Sequence, residues 1–132
     1  MIFLDSSVII AYYNKKDQHH KNAINLIKNL SLGKEDIIIS EYIFSECVTV
    51  LFLRLKNLKK VSSIGNTLKN VPTISINKNL FNYTWELFKN QENTKLSFTD
   101  CSILTSMKQE GINKLATFDR EFSKIKDIQV FN

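Results

Sequence analysis

Met1-Ile2-Phe3-Leu4-Asp5-Ser6-Ser7-Val8 opens the chain, and its reading decides the fold. Ile2, Phe3 and Leu4 form a short apolar run without turn residues, the length and character of a buried strand. The run stops at Asp5, and Ser6 and Ser7 open a helix whose apolar positions Val8, Ile9 and Ile10 follow at once. A carboxylate therefore stands where a central strand hands over to a helix, the edge at which open α/β sheets bind ligands. Asp5 can equally be a helix cap, since Asp, Ser and Thr are favoured there. Which of the two it is depends on whether other acids converge on the same edge.

Outward from this stretch, strand and helix patterns alternate. A helix is predicted from Asp17 to Leu30, with Ala23, Leu26, Ile27 and Leu30 on one face and Gly33 ending it. Ile37-Ile38-Ile39 is a second buried strand, followed by a long helix over Glu41 to Lys56 and a further helix to Lys69. Pro72 introduces a third strand, Thr73 to Ile76, after which Asn77 caps a helix carrying Leu80, Leu87 and Phe88. Thr99 to Glu110 reads as helix stopped by Gly111, Lys114 to Phe118 as a fourth strand, Asp119 to Lys124 as a helical turn, and Ile128 to Phe131 as an edge strand. Strands alternating with helices predict an α/β fold, a mainly parallel central sheet between two helical layers.

With 132 residues and no repeat, residues 1–132 are expected to form one domain, large enough to bury roughly two-thirds of its unfolded surface. A hydrophobic content of 43% with 23% charged residues is that of a globular protein rather than a disordered one. The longest apolar stretch, Cys47 to Leu55, is interrupted by Thr49 and Arg54 and falls short of a membrane span, and no signal peptide is visible at the N-terminus. A cytoplasmic protein is expected. The net charge of +5 tilts the choice of partner toward polyanions. Cys47 and Cys101 lack metal or redox spacing and read as small buried hydrophobes. His19 and His20 are adjacent, point to different faces and read as solvated.

Three further acids raise the same question as Asp5. Glu46 shares a helix face with Ile43, Val50 and Leu53, and Asp100 shares one with Ile103, Leu104 and Met107. A carboxylate on an apolar stripe is costly unless it is paired, hydrogen-bonded or bound to a cation. Glu46 could be answered by a buried Lys or Arg, and Asp100 could belong to a cap formed with Ser97. Asp119 follows the fourth strand as Asp5 follows the first. Glu46 lies about 9 Å into its helix, within reach of the edge if that helix leans across it. Carboxylates pooled there would repel, and each would need a proton or a shared cation. The all-oxygen donor set suits Mg²⁺ or Mn²⁺ rather than zinc, and in a basic protein it points to phosphodiester substrates.

The segments Phe3-Leu4-Asp5-Ser6-Ser7, Ser40-Glu41-Tyr42-Ile43-Phe44-Ser45-Glu46, Ser97-Phe98-Thr99-Asp100 and Ala116-Thr117-Phe118-Asp119-Arg120-Glu121-Phe122 resemble, in order, the four acidic motifs of PIN-domain ribonucleases. The length suits the VapC-like toxins of toxin–antitoxin pairs. The resemblance implies a three-layer α/β/α PIN fold and a Mg²⁺- or Mn²⁺-dependent endoribonuclease acting on RNA, commonly a homodimer and held inactive by a small antitoxin. By position, Asp5, Glu46, Asp100 and Asp119 correspond to the family's catalytic, metal-binding acids, and Ser6 and Thr117 to supporting hydroxyls. Cys101 departs from the smaller residue that often follows the third acid. Lys15, Lys16, Arg120 and the cluster Lys56–Lys60 are candidates to steer an RNA backbone.

Other readings stay open. A housekeeping RNA-processing nuclease would carry the same acids, and a non-catalytic PIN-like binding module would keep the fold without metal chemistry. A phosphatase or receiver domain also places Asp at a strand end. The phosphatase wants a second Asp where Ser7 stands, and the receiver wants paired acids near the N-terminus. The face around Phe44, Leu51, Phe52 and Leu55 is rich enough for a dimer interface or an antitoxin groove, or for ordinary core.

Overall fold

The computed structural model describes all residues from Met1 to Asn132. It contains strands β1 (Ile2–Leu4), β2 (Ile37–Ser40), β3 (Thr73–Ile74), β4 (Lys114–Ala116) and β5 (Gln129–Phe131). Between them run helices α1 (Ser6–Tyr13), α2 (His20–Leu32), α3 (Glu41–Leu55), α4 (Leu58–Leu68), α5 (Lys78–Lys89) and α6 (Phe98–Gln109), and a 3₁₀ turn at Arg120–Lys124 precedes β5. The strands hydrogen-bond in the order β3-β2-β1-β4-β5, and every pairing is parallel.

β1 is central. Phe3 pairs with Ile38 on one side and Leu115 on the other, and Ile2 and Phe3 have no exposed surface. A parallel strand covered on both faces has no polar side to show, which is why its sequence reads as an unbroken apolar run.

From β1 the chain moves outward through β2 to β3, then crosses back to lay β4 and β5 on the other flank. Right-handed crossovers put α1 to α4 on one face for the outward half, and α5 and α6 on the opposite face for the return. The packing agrees: α1 lies against α2 and α3, α3 against α4, and α5 against α6. This is the three-layer α/β/α arrangement expected from the sequence. The direction reverses between β1 and β4, so the crevice beyond their carboxyl ends is the topological switch point where such sheets bind ligands.

Element ends differ from the sequence reading where local hydrogen bonds intervene. α2 starts at His20, because Asp17 first closes a turn by accepting from the His19 N–H. β3 stops at Ile74; the next donors, the Ser75 hydroxyl and the Ile76 N–H, both go to the Glu41 carboxylate. α3 ends one residue early because Lys56 turns left-handed at φ 51°. Gly33 closes α2 with right-handed geometry, and it is Lys34 that takes the positive φ of 52°.

On α3 the buried line is Ile43, Cys47 and Leu51, with Phe44 and Leu55 packed against the same core. Of the Phe- and Leu-rich face only Phe52 is substantially exposed. Phe44, Leu51 and Leu55 therefore belong to the core, and Phe52 stays outside it. Both cysteines are buried and free, as expected. No helix is long and apolar enough to cross a membrane.

Candidate active site

Asp5 ends β1 in extended conformation and occupies the position before α1, yet its side chain makes no capping hydrogen bond. The carboxylate turns toward β4 instead. Its Oδ2 accepts from Ser7 Oγ at 2.6 Å and from Thr117 Oγ1 at 2.7 Å, while Oδ1 accepts only a long bond of 3.3 Å from Ser6 Oγ. The two strong donors are themselves held: the Phe118 N–H donates to Ser7 Oγ, and the Asp119 N–H donates to Thr117 Oγ1. Each hydroxyl accepts from one backbone N–H and donates its single proton to the Asp5 carboxylate, which can only accept. This explains why β4 stops at Ala116 rather than Phe118: the N–H groups of residues 118 and 119 serve the site, not a strand partner.

The cap explanation for Asp5 thus fails, and the charge question becomes sharper. Asp5 is only 4% exposed and no cation touches it. Burial pushes its carboxyl above the ordinary range; the Ser7 and Thr117 hydroxyls and the Ser6 backbone pull it down, and Glu46 pushes it up again.

Asp100 lies in the first turn of α6 and does cap it, in a reciprocal box. Its N–H donates to Ser97 Oγ at 3.0 Å, and its Oδ2 accepts from the Ser97 N–H at 2.8 Å. The capping role and the place at the edge coexist. Burial raises its carboxyl first, Ser97 lowers it, and the negative charges of Asp5 and Asp119 raise it further. Asp119 precedes the 3₁₀ turn and accepts from the Glu121 N–H through Oδ1.

Glu46 is half-buried on α3. It does not lie on a buried apolar stripe, because Leu53 on the same side is 67% exposed; it sits beside the core line and faces the edge. No Lys or Arg answers it. The ion pairs of the protein join Glu35 to the N-terminus and Lys114, Asp17 to Arg54, Glu86 to Lys89 and Glu121 to Lys124. Asp5, Glu46, Asp100 and Asp119 are left without a cation in a chain of net charge +5.

The four acids share one electrostatic field without forming a closed cage. No three His, Cys, Asp or Glu side chains approach closely enough to hold a metal ion together. Local bonds explain the spacing, since Ser97 retains Asp100 and the Glu121 N–H retains Asp119. The donor chemistry nevertheless fits a hard divalent cation. Mg²⁺ is commonly held by one or two carboxylates and keeps several of its waters, so it does not require an all-protein cage. Asp5 Oδ1, with its one weak partner, is the oxygen most available to it.

Ser7, rather than Ser6, is the principal hydroxyl on Asp5 from the β1 side, and its selection comes from the distant Phe118 N–H that holds it. Thr117 supports Asp5 from β4. Cys47 and Cys101 are buried beside the acids, and burial followed by the neighbouring carboxylates pushes the Cys47 thiol far up and that of Cys101 to about 11. The histidines are more engaged than the sequence reading allowed. His19 stacks on Phe118 with ring centroids 4.6 Å apart, and a His20 ring nitrogen lies 2.7 Å from the Ala11 carbonyl. Lys15, Lys16, Arg120 and the lysines at positions 56, 59 and 60 are exposed. A groove missed by the sequence reading runs beside Glu46, floored by Tyr42, Phe81 and Phe98.

The family model described as PIN domain matches residues 2–128. Among curated proteins, the 23S rRNA-specific endonuclease VapC20 of Mycobacterium tuberculosis is 26% identical, with 98% of each chain covered. Ribonuclease VapC6 of Methanocaldococcus jannaschii is also 26% identical, over 98% of this chain and 95% of its own. The crystal structure of VapC20, described as a sarcin–ricin-loop-cleaving toxin, superposes with a TM-score of 0.83 at 25% identity and covers both chains fully.

Proposed function

This chain belongs to the PIN-domain family, and from that premise we propose that it is a Mg²⁺- or Mn²⁺-dependent endoribonuclease and the toxin of a toxin–antitoxin pair. In this reading residues 1–132 act as a single nuclease domain in the cytoplasm. The observation that carries it is Asp5: a buried carboxylate at the switch point, gripped by two hydroxyls, with three further unpaired acids around it and no cation among them. The named activities of VapC20 and VapC6 support ribonuclease chemistry. The description of VapC20 as a toxin supports an antitoxin partner, here a small protein that blocks the same edge.

Asp5 and at most one of Glu46, Asp100 and Asp119 would hold the ion directly, with the other acids reaching it through its waters. When bound, it supplies an acidified water as nucleophile and neutralises charge developing on the phosphodiester oxygens. The chain's own residues prepare the site. Ser7 and Thr117 occupy Asp5 Oδ2 and restrain the carboxylate, which leaves Oδ1 with only the long bond from Ser6. The uncompensated acids repel a polyanion until the cation is present, and exposed Lys15, Lys16 and Arg120 offer the RNA backbone its attractive charge.

A homodimer belongs to the same proposal. Phe52, Leu53 and Leu58, at 45%, 67% and 63% exposure, form an uncovered apolar patch at the α3–α4 turn suited to a second copy. The separation of the acid side chains favours one second reading, a PIN-like module that binds without cutting. A cleavage assay with RNA and added Mg²⁺ or Mn²⁺ decides between them. Wild-type protein should cut, and Asp5→Asn and Asp100→Asn should not while remaining folded; a folded Asp5→Asn that cuts normally would overturn the metal-site reading.

A further inference from the structure

A groove of about 510 Å³ opens between α3, α5 and the start of α6, directly beside Glu46. Its floor is aromatic. The Phe98 ring lies 5.4 Å from that of Phe81 and 6.2 Å from that of Tyr42, and 6.0 Å from that of Phe88 further along α5. Phe81 keeps 40% of its surface exposed, so the rings line the groove without filling it. The walls are hydroxylic, with Ser45, Thr49 and Thr99. Lys78, outside the groove's lining, holds its Nζ over the Phe81 ring, 5.2 Å from the centre. The groove runs into the acids, since Glu46 lines it and Thr99 immediately precedes Asp100.

We propose that this groove is a stacking subsite for an unpaired RNA base next to the scissile phosphate, with Phe81 and Phe98 as the platform. The proposal rests on the ribonuclease reading above and adds to it the form of the substrate. Single-stranded RNA is recognised by stacking splayed bases on aromatic rings and by polar contacts to base edges and the 2′-hydroxyl, which is the combination of surfaces found here. Lys78, beside the Phe81 ring, supplies positive charge near the platform. An apolar helix or a second copy is a poorer occupant. It would strip water from Glu46, which has no counter-ion, and leave the wall hydroxyls facing hydrocarbon. A duplex keeps its bases stacked on one another and cannot use the platform, so the subsite selects looped or unpaired RNA.

The test measures binding rather than cleavage. Fluorescein-labelled hexa-adenylate and an abasic ribose-phosphate oligomer of the same length are titrated by anisotropy, with Mg²⁺ present, into Asp5→Asn protein and into the same protein carrying Phe81→Leu or Phe98→Leu. Circular dichroism checks that each variant is folded. Phe81 is exposed, so its truncation keeps the test valid if Phe98→Leu fails to fold. Each ring variant should bind hexa-adenylate about 5- to 150-fold more weakly, the range that loss of base–aromatic stacking gives, and bind the abasic oligomer unchanged. Unchanged hexa-adenylate binding would overturn the proposal, as would equal loss of both probes, or a dimer-to-monomer change on sedimentation with RNA affinity per protomer intact. The ribonuclease reading fails separately, if protein retaining Asp5 leaves RNA uncut with Mg²⁺ and Mn²⁺.

Discussion

Thr117→Val removes one hydroxyl and almost no volume, and its consequences can be worked through from the geometry. Thr117 is fully buried; its hydroxyl donates to Asp5 Oδ2 at 2.7 Å and accepts from the Asp119 N–H. A hydrogen bond to a charged group contributes about 1.5–3 kcal/mol, and a buried donor left without a partner costs about 1–3 kcal/mol. The methyl of Val fills the space, so no cavity adds to the loss. Ser7 remains on the same oxygen, which stops Asp5 from swinging free but leaves it with one strong donor in place of two. Two readouts follow. Calorimetric titration should show Mn²⁺ affinity lowered about 10- to 100-fold, the usual cost of removing a partner that orients a metal-binding group. The carboxyl, already raised by burial, should rise further, so the pH at which Mn²⁺ affinity falls away should move upward. Thr117→Ser, which keeps the hydroxyl, should restore both. Wild-type Mn²⁺ affinity and pH dependence in folded Thr117→Val would show that Asp5 is not held for metal binding in the way described.

Asp5→Asn should raise the melting temperature of chelator-treated protein at neutral pH. A carboxyl with raised folded pKa stabilises the fold below its unfolded value, and that contribution is lost as pH rises through the folded value. Removing the charge removes the penalty; scanning calorimetry should show the gain at pH 7 shrinking toward acid, and a destabilised variant at pH 7 would contradict it. Ser97→Ala should cost about 0.5–2 kcal/mol in denaturant unfolding through loss of the α6 cap. The same variant should leave Asp100 able to take metal, since the Ser97 backbone N–H remains as its partner. Cys47 and Cys101 should stay unreactive toward a thiol reagent in native protein at pH 8 and react fully on unfolding, because burial holds both thiols protonated.

What the sequence revealed and what it hid follow from the range of each interaction. β1 was legible because a doubly covered strand is apolar at every position, and Asp5 was legible because it interrupts that run. Asp100 could be placed through Ile103 and Met107, both buried as expected. For Glu46, helical spacing shows that Ile43, Val50 and Leu53 share a side but not that the side is buried, and Leu53 is exposed; Glu46 nevertheless lies near enough to Asp5 to act on its charge. The choice of Ser7 over Ser6 depends on residues 117 and 118, more than a hundred positions away, and no local pattern carries it. Nor does sequence show that two of the acids are held apart by neighbouring backbone donors. The aromatic groove was hidden for the same reason as Ser7, since Tyr42, Phe81 and Phe98 meet only once α3, α5 and α6 are packed.

The proposed cation site at Asp5 and the acids around it can be tested directly. Titration of Mn²⁺ into metal-free wild-type protein, followed calorimetrically beside Asp5→Asn, tests it without reference to any RNA. Saturable binding to the wild type, weakened at least about tenfold in the folded variant, is the predicted result. Absence of binding to the wild type, or equal binding to both proteins, would contradict it.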